Sequence, residues 1–416
     1  MKSRNFLFLQ GSTSPFFSKL GDALTQAKAH VFRINFNAGD YIYWRNKPSW
    51  QFRDKASALP EYLRKKVLDY GITDIIMLGD TRPVNAAAVP LSKALGLRLH
   101  IFDEGYLRPD WLTLEEGGIN GFSQLPKEAN WYLEAAKHLP PAPPSQSISN
   151  PITLLALHEI GYHFPGLLNP IFYHGYKTHR PAISGLELAG WGIRFSQMPW
   201  YETRDKRTIH HLLSNNKPFY LLPLQLDSDS QIQVHSDITS MSDLVHTVVD
   251  SFTEYAPQDA LLVIKNHPLD TGFTNFAAII KQLSKEKDIE GRILYLESGS
   301  LPALLDACEG VVVVNSTVGI TALAHQCRTL ALGQAIYDMP GLTAQCSLDA
   351  FWHDTIYPDP QLFDAFRQIV IHATQINGGF FSSDGIRIGV NNAMKRLQES
   401  QSPLEVLLES YPVSPS

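Results

Sequence analysis

Four short clusters hold the residue types from which group-transfer chemistry can be built. The first is Lys265-Asn266-His267-Pro268, directly after the apolar run 261–264. A strand ending in Lys-x-His-Pro sets an ammonium and an imidazole side by side, with Pro268 fixing the following turn. That pair suits a departing phosphate, which needs positive charge or a proton. The plainer alternative is a solvated lysine beside a structural turn. The second cluster, Asn315-Ser316-Thr317, joins an apolar run to a predicted helix. At such a helix start Ser or Thr caps, and free backbone N–H groups favour a phosphate or carboxylate; capping alone would also account for these residues. The third, Asp103-Glu104-Gly105-Tyr106-Leu107-Arg108-Pro109, places a carboxylate where it could take a proton from an acceptor hydroxyl. An ion pair between these acids and Arg108 within a turn is the alternative. The fourth is Gln225-Leu226-Asp227-Ser228-Asp229-Ser230-Gln231. Its close acids suggest a metal, but a hard cation needs more oxygen ligands, and the Gly and Glu of an EF-hand are missing at the required spacing. A carboxylate nucleophile at an anomeric carbon is the sharper reading.

Elements that would position these clusters follow from the hydrophobic pattern. Short apolar runs predict strands over 6–10, 31–36, 74–78 and 98–102, separated by amphipathic helices near 16–28, 61–70 and 85–95. A second series has strands over 219–224, 261–265, 293–296, 311–314 and 329–332, with helices near 240–255, 275–285, 301–308, 318–325, 361–374 and 387–399. Alternating β and α units predict an α/β fold, GT-B-like, with two Rossmann-like lobes facing across a cleft. The expected lobes are 1–207 and 208–400, with a helical, aromatic-rich insert at about 139–207 and a flexible tail over 401–416. In the insert, a packed helical element is the default reading, and an interfacial element the alternative.

Composition narrows the function classes. The 416 residues carry 35 Lys+Arg against 41 Asp+Glu, a formal charge of -6, so a general nucleic-acid binder is not expected. The hydrophobic share of 44% excludes bulk disorder. Cys308, Cys327 and Cys346 lack the spacing of a zinc knuckle or a disulfide framework. No apolar run reaches the ~18 residues of a membrane span, and the opening segment reads as a first strand. The expectation is a cytoplasmic or peripheral protein.

Taken in order, the motifs carry a resemblance. Phe8-Leu9-Gln10-Gly11, Asn35-Phe36-Asn37-Ala38-Gly39-Asp40, Gly79-Asp80-Thr81-Arg82-Pro83, Glu104 to Pro109, Pro223-Leu224-Gln225 with Asp229, Lys265-x-His267-Pro268 and Asn315-Ser316-Thr317 resemble the KpsS/LipB type of capsule polysaccharide biosynthesis proteins. That resemblance implies a retaining β-Kdo transferase that uses CMP-Kdo to start a Kdo linker on lysophosphatidylglycerol. It also implies peripheral contact at the cytoplasmic face of the inner membrane, and it allows a place in a capsule biosynthesis and export assembly. No metal or other cofactor is expected, because CMP-Kdo lacks the diphosphate that a metal clamp holds. The resemblance also implies that Asp229 would be the nucleophile, with Asp227 in reserve, Glu104 the acid/base, and His267 with Lys265 the partners of the leaving phosphate. Gln225, Asn315, Ser316 and Thr317 would hold the donor. Arg82 and Arg108 would meet the Kdo carboxylate or the acceptor phosphate, and Gly11, Asn37 and Asp103 would line the substrate. Two other readings stand beside this one: a different CMP- or CDP-donor transferase, and a non-catalytic adaptor of the export assembly.

Overall fold

The computed structural model describes residues 4–44, 47–149, 151–176, 184–215, 217–226, 230–236, 238–270 and 272–413. The chain divides into two compact α/β units. Unit 1 comprises Met1–Leu125, His138–Arg180 and Arg367–Ser416, and unit 2 comprises Pro126–Lys137 and Pro181–Phe366.

In unit 1 the strands are β1 (Asn5–Phe8), β2 (His30–Asn35), β3 (Trp50–Gln51), β4 (Asp74–Leu78), β5 (Arg98–Glu104) and β6 (Trp111–Glu116). In unit 2 they are β7 (Phe219–Pro223), β8 (Leu261–Lys265), β9 (Ile293–Leu296), β10 (Gly310–Val313) and β11 (Thr329–Ala331); β12 (Gln375–Asn377) returns to unit 1. The first sheet runs β12-β6-β5-β4-β1-β2-β3 and the second β11-β10-β7-β8-β9. All pairings in the second sheet are parallel, while β5–β6 and β6–β12 in the first are antiparallel.

Each sheet therefore contains the doubly wound order in which the chain starts centrally, goes to one side, then crosses to the other. The crossing lies between β1 and β4 in unit 1 and between β7 and β10 in unit 2. Ligands of such sheets gather at the carboxyl ends of the strands at this switch point. Strands buried on both faces, such as β4 (DIIML) and β7 (FYLLP), read as near-continuous apolar runs. In unit 1, alternate residues feed opposite cores. Phe6, Phe8, Ile76 and Phe102 pack with Phe16 and Val390 on one face, and Leu7, Ile75, Met77 and Ile101 with Leu63 and Val67 on the other.

The expected boundaries differ from the units in three places. Residues from Arg367 onward belong to unit 1, because β12 pairs with β6 and the helix Ser383–Gln398 packs on Phe16–Gln26. The insert is split: residues 139–180 lie in unit 1 and those from 181 in unit 2. The tail expected to be flexible forms the helix Pro403–Ser410, started by a capping box between Ser402 and Glu405 and anchored by buried Leu404 and Leu407.

Candidate active site

In unit 2 the Lys-x-His-Pro loop is held from beneath. Lys265 ends β8 and is buried; burial lowers its pKa, Asp205 pulls it up and Arg194 pushes it down. Asn266 donates from Nδ2 to Asp270 at 3.1 Å and Glu297 at 3.0 Å, and its Oδ1 accepts the backbone N–H of His267 at 2.8 Å. Leu269 N–H donates to His267 Nδ1 at 3.1 Å. In the neutral imidazole this places the proton on Nε2, as a donor.

The buttress comes from the helix Ser184–Ser214. Arg194 pairs with Glu297 at 2.8 Å and Asp270 at 3.3 Å and reaches His267 O at 3.4 Å. Asp205, fully buried, accepts the N–H groups of Glu297 and Ser298 at 2.8 and 2.9 Å. No sequence motif marks either residue for this role; both fall in the insert expected at about 139–207. Both lie some 60 residues or more from the loop they hold, and no local spacing announces such a contact.

The switch point of unit 2 is bridged by Gln225 at the end of β7. Its Nε2 donates to Asn315 Oδ1 at 3.2 Å, and its Oε1 accepts Asn315 N–H at 3.4 Å. Ser316 Oγ accepts Val318 N–H at 3.1 Å, whereas Thr317 stands at the helix start without a side-chain cap. Tyr337 Oη fixes this turn by donating to Ser316 O at 2.6 Å, and Gly319 leaves it room, since a Cβ there would lie 2.2 Å from Tyr337 Oη. Gln225, Lys265 and Asn315 thus lie at the ends of three adjacent strands, spaced about 4.8 Å apart. Asp227 and Asp229 lie outside the described residues.

In unit 1, Asn85 closes the switch point: it accepts Gln10 N–H at 3.1 Å and donates to Leu78 O, Gln10 O and Gly79 O at 2.8, 3.1 and 3.2 Å. Arg82 donates to Gly11 O at 3.2 Å, so these two expected residues meet. Asn37 sits in a buried network at the end of β2. Its Oδ1 accepts Asp40 N–H at 2.8 Å, and its Nδ2 donates to Tyr162 Oη at 2.9 Å; Asp40 in turn pairs with buried Arg33 at 3.0 Å. The Asn35–Asp40 motif therefore shapes the end of β2.

Glu104 and Arg108 are exposed at the end of β5, with Gly105 between them backing onto Trp111 O, 2.2 Å from where a Cβ would stand. The surrounding chain still desolvates Glu104 and raises its pKa; Arg108 opposes this and Asp103 adds to it. Asp103 accepts Glu104 N–H at 2.9 Å. Beneath it, buried Asp80 accepts Ile119 N–H at 3.0 Å, and buried Glu115 accepts from Tyr106 Oη at 2.6 Å and Ser123 Oγ at 2.5 Å. Burial pushes Asp80 up to about 6 and Glu115 up to about 7.

The shift at Asp80 has a sign that can be measured. Its folded pKa of about 6 exceeds the unfolded value of about 3.9. The folded form therefore keeps a proton that the unfolded form sheds, so this stabilising contribution is full below about pH 4 and lost as pH rises through 6. The loss at pH 8 is on the order of 3 kcal/mol. Asp80→Asn keeps an acceptor for Ile119 and never ionises. Thermal melts should show the variant more stable than the parent at pH 8, with the gap closing towards pH 4. Parallel pH profiles would contradict the assignment.

With this geometry in view, the chain matches over residues 73–381 the family described as capsule polysaccharide biosynthesis protein. It is 34% identical over 388 residues to the capsule polysaccharide modification protein LipB of Neisseria meningitidis serogroup B, covering 91% of this chain and 92% of that protein. The chain belongs to the capsule polysaccharide biosynthesis protein family. To the capsule polysaccharide export protein KpsS of Escherichia coli it is 33% identical over 385 residues, covering 92% of this chain and 98% of that one. A solved structure of the Thermosulfurimonas dismutans KpsC β-Kdo 2,7 transferase aligns with a TM-score of 0.44 and 14% identity, over 95% of this chain and 100% of that one. The family match takes in Arg82, Glu104, Gln225, Lys265, His267 and Asn315–Thr317, and leaves Gly11 and Asn37 outside it.

Proposed function

We propose that the chain is a retaining β-Kdo transferase that moves Kdo from CMP-Kdo to lysophosphatidylglycerol and so starts the Kdo linker of a capsular polysaccharide. The observation that carries this reading is the buttressed Lys265–His267 pair, next to the Gln225–Asn315 bridge at the switch point of a parallel sheet. A buried ammonium and an imidazole Nε2–H match the needs of one departing phosphate in a donor that has no diphosphate. The nucleotide site is therefore assigned to unit 2 and acceptor activation to unit 1.

Two displacements follow. A carboxylate oxygen of Asp229 bonds to the anomeric carbon as its bond to the CMP phosphate breaks, and the negative charge on that phosphate falls on Lys265 and His267. Glu104 then takes the proton of the acceptor hydroxyl. The acceptor oxygen bonds to the anomeric carbon, and the Asp229 carboxylate leaves with its electron pair. Two inversions give retention, the logic shared by retaining glycosidases. Arg82 and Arg108 are assigned to the Kdo carboxylate or the acceptor phosphate. Among the described residues no helix is long and apolar enough to cross a membrane, and the reading places the protein peripherally at the cytoplasmic face of the inner membrane.

A donor screen tests the reading. With lysophosphatidylglycerol present, the purified protein should release CMP from CMP-Kdo and leave CDP-glycerol and other CMP-sugars intact. Turnover of one of those donors instead would assign a different transferase. Binding of no nucleotide would favour the adaptor.

A further inference from the structure

Gly105 stands between Glu104, the assigned base, and Arg108, and Trp111 O leaves no room for a Cβ there. A glycine backbone swivels more freely than any other, so the direction of Glu104 depends on what holds this residue. The hold comes from far downstream. β12 pairs with β6 in antiparallel register, with Gln375 opposite Thr113, and on its other edge Thr113 lies opposite Asp103 of β5. The neighbours Ile376 and Leu112 join the apolar core on one face of the sheet, so Gln375 and Thr113 lie on the other. Both are buried, at 2% and 0% exposed.

A buried amide costs free energy unless its donors and acceptor are met. Here they are met. Gln375 Oε1 accepts the backbone N–H of Tyr106 at 3.0 Å, and because that N–H can only donate, the contact fixes which end of the amide is oxygen. Nε2 donates to Thr113 Oγ1 at 3.1 Å and to Thr374 Oγ1 at 3.0 Å. Thr113 Oγ1 in turn donates to Glu104 O at 3.0 Å, and Thr374 Oγ1 donates to Val370 O at 2.8 Å. The carbonyl of Glu104 and the N–H of Tyr106 belong to the two peptide planes on either side of Gly105. One side chain thus holds both planes, directly at Tyr106 and through Thr113 at Glu104. Tyr106 adds a deeper anchor, since its Oη donates to buried Glu115 at 2.6 Å and accepts Asn120 N–H at 2.7 Å.

We propose that Gln375 is a positioning residue for acceptor activation: with Thr113 as relay it locks the peptide planes that flank Gly105, and so fixes the direction in which Glu104 is presented. The proposal rests on the reading of Glu104 as the base of the second displacement.

Three variants test it. Thr113→Val removes the relay hydroxyl at nearly constant shape, Thr113→Ser returns it, and Gln375→Leu removes the amide. Without acceptor, release of the first equivalent of CMP from CMP-Kdo reports attack by Asp229, a step in which Glu104 takes no part. That rate should stay within about twofold of the parent in all three. With lysophosphatidylglycerol, kcat should fall ~10- to 100-fold in T113V and Q375L, the scale expected when a reacting group is displaced by about 1 Å. T113S should recover most of the loss. Turnover of both T113V and Q375L within about twofold of the parent overturns the proposal. So does a matching fall in the first release of CMP, which would mark general damage instead of lost positioning. Parent protein that releases no CMP would count against the transferase reading, and the clamp is then decided by hydrogen exchange at the Tyr106 amide. Exchange at least ~10-fold faster in Q375L than in the parent upholds the clamp, and equal rates overturn it.

Discussion

Asp229→Ala should abolish transfer, lowering kcat by roughly 1,000-fold or more while leaving the melting temperature and CMP affinity close to those of the parent. The size of the effect follows from the role: without the carboxylate that forms the covalent adduct, the acceptor must attack the anomeric carbon directly, and with the opposite stereochemistry. CMP affinity should survive because the proposed phosphate partners, Lys265 and His267, stand on β8 and the loop that follows it. Asp227→Ala, two positions away, should reduce activity much less. Full activity in the Asp229 variant would move the nucleophile to Asp227 or remove the double displacement.

Lys265→Ala should lower kcat/KM by roughly 100- to 1,000-fold, the usual cost of removing one preorganised charge partner from a developing anion. The lysine is buried and its pKa is lowered by that burial, so its charge acts in a poorly screened environment when phosphate arrives. Lys265→Arg should not restore activity. The loop is set by Asn266, Arg194 and Asp205, and a planar, forked guanidinium presents its donors in a different geometry from a compact ammonium. The stability of Lys265→Ala should equal or exceed that of the parent, because the substitution removes a buried cation. Activity of the alanine variant within threefold of the parent would remove Lys265 from the site.

What the sequence showed and what it hid divide along physical lines. Strands such as β4 and β8 were legible to the residue, because parallel strands buried on both faces read as short apolar runs closed by polar residues. The clusters at their ends were legible for the same reason: the register that ends β8 at Lys265 also puts it beside β7. Arg194 and Asp205 were not legible, since a long helix far upstream supplies them and nothing near Lys265 calls for them. β12 was missed because three residues pairing with β6 across some 260 positions leave no periodic signal. The helix Pro403–Ser410 was legible in principle: Ser402 and Glu405 spell a capping box before two apolar residues that bury themselves. The bonds of Asn37 to Asp40 and Tyr162, and of Asp40 to Arg33, were not legible, because Tyr162 lies far along the chain from the motif.

In the proposed reaction a single Kdo passes from a cytidine monophosphate donor to a lysophospholipid. The mass spectrum of lysophosphatidylglycerol after incubation with the purified protein and CMP-Kdo tests it most directly. The expected product is an acceptor heavier by one Kdo residue, formed with parent protein and absent with Asp229→Ala. An acceptor of unchanged mass, under conditions where a related transferase is active, would contradict it.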